Sequence, residues 1–181
     1  MSKKLSVIDI TTVSLLTALL SISSYIAFLL PFTTIMFTAQ TIVINIIAMI
    51  LKPKHSALAM VIYMALGIVG IPVFAGGNAG IGYLFSARGG FYFGFLVAVV
   101  VMSLVKGDKL SYLRYVIVMI LVGMPIIYLF GTVQMSYVSK MNFFHTLELA
   151  AFPFIPWDVA KCFLAAFIAV RVNKYLKYKR R

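Results

Sequence analysis

From Ile10 to Leu51 the chain runs for 42 residues without one Asp, Glu, Lys or Arg. A hydrocarbon layer about 30 Å thick is crossed by about 20 helical residues, so this stretch is long enough to cross, turn and return. Of the 181 residues, 63% are hydrophobic and only 11% charged, and the mean hydropathy is +1.06. A soluble globule needs a polar skin that so few charges cannot supply. The chain therefore reads as an all-α membrane protein, since in lipid a helix satisfies its own backbone whereas an open strand does not. Lys3 and Lys4 ahead of an apolar run have the outline of a secretory signal. The run is too long for one, has no small-x-small site before Pro31, and is followed by further apolar segments.

A net charge of +12 in a soluble protein would raise the question of nucleic acid. Here the placement of the charges answers differently. Lys3 and Lys4 precede the first apolar run, Lys52 and Lys54 share a short loop, Lys106, Lys109 and Arg114 flank another, and six basic residues lie between Arg171 and Arg181. With these segments on the cytoplasmic side, only Arg88 and Lys140 remain outside and Lys161 falls within a span. The positive-inside rule then places both termini in the cytoplasm of a multi-pass cell-membrane protein in contact with lipid, and no nucleic-acid partner is expected.

Six helical spans follow from this alternation: Val7 to Leu30, Thr33 to Leu51, Ser56 to Ile71, Gly90 to Val105, Ser111 to Phe130 and Pro156 to Val172. They form a single domain over residues 1–181, with no internal repeat. Pro31, Pro53 and Pro72 stand at or near span ends, where a missing backbone donor is tolerated, and Pro125 predicts a kink inside the fifth span. Residues Ala75 to Gly82 carry four glycines in eight positions. This segment predicts irregular backbone packed on or between helices, which at that depth requires protein cover or a wet cavity. The segment Thr132 to Ile155, rich in Phe, Met and Tyr, reads as an outer loop. It admits two readings: a hydrophobic lid, or interfacial anchoring through Phe143, Phe144 and Phe152.

Polar residues inside spans are costly and each invites a functional question. Asp158 and Lys161 lie three apart, on one helical face with opposite charges adjacent. They suit an internal ion pair, an acid at a helix start after Pro156, or a ligand site for a molecule bearing hydrogen-bond donors and a carboxylate. Asn78 among its glycines is either a turn residue or an amide that both donates to and accepts from a ligand. Gln40 and Asn45 suit hydrogen bonds between helices. Arg88 either snorkels toward the outer surface or attracts anions. Cys162, the single cysteine, excludes an internal disulfide and reads as a small core residue. There is no G-x-x-x-x-G-K-S/T phosphate loop, no His/Cys/Asp/Glu set at metal-ligand spacing, and His55 and His145 fall on opposite sides of the membrane. Neither enzymatic activity nor a cofactor is expected.

The stretch from Gly67 to Leu84, followed by Gly89-Gly90-Phe91-Tyr92-Phe93-Gly94-Phe95, resembles the signature region of the BioY biotin transporters. Pro31-Phe32, Thr38-Ala39-Gln40-Thr41 and Pro153-Phe154-Ile155-Pro156-Trp157-Asp158-Val159-Ala160-Lys161 extend the similarity over nearly the whole chain. Ser86-Ala87-Arg88 departs from the Gly-Pro-Thr that many relatives carry there. BioY proteins are substrate-binding (S) components of energy-coupling factor (ECF) importers, so the resemblance implies a six-helix fold that captures biotin near the outer surface. It further implies that Asn78 and Asp158 contact the ureido ring and that Lys161 meets the valerate carboxylate. Phe74, Tyr83 and Trp157, with Gln40, are expected near the bicyclic ring. A transmembrane coupling protein and two cytoplasmic ATPases would complete the importer. Contact with the coupling protein is expected through the small residues Ser14, Thr17, Ala18 and Ser21 of the first span, where two small-xxx-small pairs permit close helix approach. A sister importer subunit for another vitamin, such as riboflavin or thiamin, would use the same two charges.

Overall fold

Local capping chemistry sets where the helices begin. Ser6 Oγ accepts from the Asp9 amide at 3.1 Å and the Asp9 carboxylate accepts from the Ser6 amide, a capping box that starts α1 at Val7–Ser23. The computed structural model describes residues 6–29 and 35–179. After α1 come two short strands, β1 (Ala27–Leu29) and β2 (Met36–Thr38), then α2 (Gln40–Ile50), α3 (Pro53–Ile68) and a one-turn α4 (Ile81–Leu84). The chain continues through α5 (Gly89–Val105), α6 (Tyr112–Val118), a π-helical turn at Met119–Gly123, α7 (Met124–Ser139), α8 (Phe143–Ala150) and α9 (Ile155–Lys179). Pro53 occupies the first turn of α3, where its absent N–H costs nothing. Ser111 caps α6 and Asn142 caps α8.

The fold is the expected α-helical one, with three differences. The apolar run that continues the first span is not helical to its end: α1 stops at Ser23, and Ala27, Phe28 and Leu29 pair antiparallel with Thr38, Phe37 and Met36. The second helix therefore begins at Gln40 rather than Thr33. Leu30, Pro31, Phe32 and Thr33, with Lys3 and Lys4 at the start and Arg181 at the end, lie outside the described residues. The irregularity expected at Pro125 takes the form of the π turn just before it, which absorbs the missing donor while residues Tyr112–Ser139 remain one 28-residue helix of mean hydropathy 2.5. Finally, Thr132 to Ile155 is not an open loop. Helix α7 runs on to Ser139, and α8 meets α9 at a 52° bend. Gln134 explains part of this, because its Nε2 donates to Leu84 O (2.7 Å) and Ser86 O (2.8 Å), tying α7 to the turn before α5.

Helix α5 is central and packs on α2, α3 and α7, while α9 packs on α2 and α6. Among the described residues one unbroken helix, 112–139, is long and apolar enough to cross a membrane; α8 with α9 passes as a bent pair, and α1, α2 and α5 are shorter apolar helices. Side-chain hydrogen bonds join neighbours: Ser56 Oγ to Ser103 Oγ at 2.7 Å, Thr17 Oγ1 to Ala59 O at 3.3 Å, and Asn173 Nδ2 to Met49 O at 2.8 Å. Lys106 Nζ donates to the Ala48 and Leu51 carbonyls at the end of α2, the end of a helix that favours a cation. Outward-facing positions are apolar, with Leu15, Ile22, Leu113 and Leu121 all more than 60% exposed. In water such surface would be a liability, and a bilayer covers it.

The approach of α5 to α7 depends on glycine. A Cβ on Gly90 would lie 2.3 Å from the Phe130 carbonyl oxygen, which as backbone cannot swing away. Gly90→Ala is expected to destabilise the protein by about 1–3 kcal/mol through overpacking, read as a lower thermal unfolding midpoint in detergent. Gly82→Ala, whose Cβ would meet nothing within 4 Å, is the matched control. Equal midpoints for the two variants would contradict this packing.

Candidate functional site

The strongest polar cluster lies where α2 and α9 begin, beside Tyr128 of α7. Asp158 and Lys161 occupy the first turns of α9, each only 8% exposed. A buried charge is tolerated only when paired and hydrogen-bonded, and both conditions hold. Lys161 Nζ donates to Asp158 Oδ1 (2.9 Å), to Thr38 O (2.8 Å) and to Thr41 Oγ1 (3.1 Å), and sits 3.7 Å from the centre of the Phe37 ring. Its three protons are thus all engaged. Thr41 Oγ1 passes a hydrogen bond on to Asp158 Oδ1 at 3.2 Å, and Tyr128 Oη donates to Asp158 Oδ2 at 2.6 Å. A carboxylate has about four acceptor positions. Among the described residues three are filled, leaving one on Oδ2.

This cluster forms one pole of a cavity that encloses about 590 Å³ of empty space, its open mouth included. The hairpin supplies Ile35, Met36 and Thr38; α2 supplies Gln40 and Thr41; α5 supplies Phe91, Tyr92 and Phe95; α7 supplies Ile127 and Tyr128. Ala150 and Phe154 close it from the α8–α9 corner, and Ala75, Tyr83 and Arg88 close it from the glycine-rich side. Ile35, Met135, Ala150 and Phe154 form a small buried cluster beside this wall. The walls are mostly apolar and aromatic, with polar groups concentrated at two places, Asp158–Lys161 and the Tyr83–Arg88 turn.

Gln40, Tyr83, Asp158 and Lys161 of the expected ligand contacts line the cavity; Asn78, Phe74 and Trp157 do not. Gln40 is buried and its Nε2 donates to Tyr63 Oη (2.6 Å), which donates to Val73 O (2.9 Å). Tyr83 Oη is buried and has no hydrogen-bond partner among the described residues. Phe74 is fully buried behind the cavity wall, stacked on Tyr83 at 5.5 Å and tilted against Tyr92 at 4.7 Å. Asn78 spends its Nδ2 on Ala75 O at 2.7 Å and its backbone on a bridge to Phe74, so it holds the turn that presents Ala75 to the cavity. Gly76, Gly77 and Gly80 in this turn all have positive φ, which glycine alone adopts without strain. Trp157 is 60% exposed and packs edge-on against Phe37. Phe144 and Phe152, at 73% and 55% exposed, face outward, so the part of the α8 region that covers the cavity is Ala150 and Phe154.

On α1, Ser14 and Ala18 are exposed, whereas Thr17 is buried against α3 and Ser21 Oγ bonds back to Thr17 O. Cys162 is buried and accepts from Asn45 Nδ2 at 3.5 Å, a link between α2 and α9. No group of three or more metal-ligating side chains occurs among the described residues.

A family model described as BioY matches residues 1–178. The chain belongs to the BioY family. The biotin transporter BioY2 of Lactococcus lactis subsp. cremoris is 27% identical, over 94% of this chain and 92% of that one. The biotin transporter BioY of Thermotoga maritima is 31% identical over 87% and 91% of the two chains. A crystal structure of the S-component for biotin from an ECF-type ABC transporter superposes with a TM-score of 0.87 at 22% identity, covering 96% of this chain and 95% of its own. The fold is therefore that of an ECF S-component, and this BioY chain is a membrane protein.

Thr38, Thr41, Tyr128, Phe37 and Tyr92 join the site, although none of them was expected as a site residue from the sequence. The mildly polar Thr41 and Tyr128 inside apolar spans were the available signal. Because the pair is buried, Lys161→Met is expected to cost about 3–5 kcal/mol by stranding Asp158. Adding Asp158→Asn should recover part of that loss, seen as a higher unfolding midpoint for the double variant than for Lys161→Met. A double variant no more stable than the single one would show that the charges are not coupled.

Proposed function

We infer that this chain is the biotin-binding subunit of an ECF-type importer, taking biotin from the outer side of the membrane and passing it inward with an ATP-driven module. The observation that carries the reading is the single open acceptor position on Asp158 Oδ2, at the polar end of an otherwise apolar cavity. A ureido ring offers N–H donors and a carbonyl on a compact apolar bicycle. One N–H suits Asp158, whose carboxylate makes this a charge-assisted bond, and the ring lies against the aromatic wall formed by Phe91, Tyr92 and Phe95. The membership in BioY and the biotin transporters among the relatives support the same ligand.

Transport requires an energy source. The partners are a transmembrane coupling protein and two cytoplasmic ATPases, and the exposed Ser14 and Ala18 on α1 offer a small-residue face for the coupling protein. Both termini are cytoplasmic in this reading, which sets the cavity at the outer end of the bundle with the basic loops opposite. The whole chain acts as one transmembrane domain and carries out no chemistry on its ligand. Asn78 contributes by shaping the cavity wall through Ala75.

Calorimetric titration of the purified protein in detergent is expected to show biotin binding, with no competition by riboflavin or thiamin. Asp158→Ala should weaken biotin by at least about tenfold, the lower end of what a hydrogen bond to a charged group contributes. A folded wild-type protein that binds riboflavin or thiamin in place of biotin would overturn the assignment.

A further inference from the structure

The basic loops surround a second cavity at the opposite end of the bundle. Along α2 the ligand cavity is lined by Gln40 and Thr41 and the second one by Met49, Ile50 and Leu51, with the fully buried Ile44 and Ile47 between them. From Thr41 to Met49 the helix rises about 12 Å, so the two cavities are separate sites. The second encloses about 730 Å³ of empty space, its open mouth included. It is framed by the start of α1, the end of α2, the start of α3, the loop between α5 and α6, and the last turns of α9.

Its ionisable lining is unevenly matched. Asp9 accepts from the amide and hydroxyl of Ser6 and lies 4.0 Å from His55 Nδ1. Asp108 stands beside Lys106. Lys52 is exposed, and its ammonium makes no hydrogen bond or ion pair among the described residues. Lys106 gives two of its three protons to the Ala48 and Leu51 carbonyls and keeps the third. Tyr115, only 2% exposed, accepts from Asn173 Nδ2 at 3.1 Å, and its own hydroxyl proton has no acceptor among the described residues. Three unspent donors on α3, the α5–α6 loop and α6 thus line one cavity. Helix α3 starts at this mouth without a side-chain cap, Lys54 and Lys109 are exposed next to lining residues, and Arg114 lies against Gly107. The field at the mouth is therefore positive.

A phosphate diester, with one negative charge and two free oxygens, fits such a donor set. The surroundings favour one carried by a lipid. Leu104 on α5 and Leu113 on α6 flank the loop that lines the cavity and are 64% and 63% exposed, so acyl chains have apolar surface beside a headgroup seated inside. A choline headgroup would bring a second cation to a mouth that is already positive, whereas a glycerol headgroup brings none. We propose that this cavity binds the phosphate of an anionic phospholipid of the cytoplasmic leaflet through Lys52, Lys106 and Tyr115. The leaflet rests on the membrane orientation inferred above; the site itself does not depend on biotin.

Native mass spectrometry of the purified protein in detergent, titrated with phosphatidylglycerol or phosphatidylcholine, tests this. Wild type is expected to hold phosphatidylglycerol at least about tenfold more tightly than phosphatidylcholine. Lys52→Gln should weaken phosphatidylglycerol by about tenfold and Tyr115→Phe by about threefold, while Lys54→Gln, the same charge change two residues away and outside the lining, changes it by less than about threefold. Thermal unfolding midpoints equal to wild type show that Lys52→Gln and Lys54→Gln are folded, and inorganic phosphate alone should leave those midpoints unmoved. Equal losses in Lys52→Gln and Lys54→Gln would mean that general surface charge holds the lipid, and would overturn the site. No preference for phosphatidylglycerol, with inorganic phosphate raising the midpoint of wild type and not of Lys52→Gln, would make it a site for a soluble anion and overturn the lipid assignment. Biotin titration of the same samples reads the ligand cavity separately, so either failure leaves the biotin reading intact.

Discussion

The ion pair between Asp158 and Lys161 organises this end of the molecule because it cannot exist without its surroundings. Two charges in an apolar interior repay their desolvation only when geometry and additional hydrogen bonds are good. Here the hairpin supplies the Thr38 carbonyl, α2 supplies Thr41 and α7 supplies Tyr128. Three separate parts of the chain thus converge on one turn of α9. The hairpin that replaces the end of the first apolar run follows the same logic, since its second strand brings Thr38 to the ammonium and Phe37 over it.

Around that pole the remaining wall is largely aromatic, and the hydroxyls of Tyr92 in the wall and Tyr63 behind it are tied back into the protein. Tyr63 accepts from Gln40 and donates to Val73 O, and Tyr92 accepts from the Ala75 amide at 2.8 Å. These bonds fix the rings and the glycine-rich turn relative to α2 and α5. A ligand then meets preorganised surface and need not order it, which lowers the cost of binding. Specificity follows from the few polar groups that remain open, because a ligand lacking the matching group leaves one of them unpaired.

Much of this was legible in the sequence, and the failures have physical causes. The span predicted from Gly90 to Val105 is the helix Gly89–Val105, because glycines and a charged loop bound a clean apolar run. Asp158 and Lys161 stood out as opposite charges one turn apart in apolar surroundings, and they do form a buried pair. The hairpin was invisible because Ala27-Phe28-Leu29 and Met36-Phe37-Thr38 are as apolar as the helices, and continuous apolar runs carry no period that separates strand from helix. The continuation of α7 past Phe130 was hidden because Thr132, Gln134 and Ser136 look like loop residues until Gln134 is seen holding the carbonyls of Leu84 and Ser86. For Asn78 the sequence left open a turn role or a ligand role, and only the structure shows its side-chain amide turned onto Ala75 O.

The account reduces to one spatial claim: a small ligand lies along the cavity with its donor-bearing ring against the open oxygen of Asp158. A crystal structure of the protein with biotin present measures this directly. The account predicts biotin inside the cavity with a ureido nitrogen within about 3 Å of Asp158 Oδ2, the bonds from Tyr128 and Lys161 retained. Biotin bound outside the cavity, or inside it with the ureido ring turned away from Asp158, would contradict it.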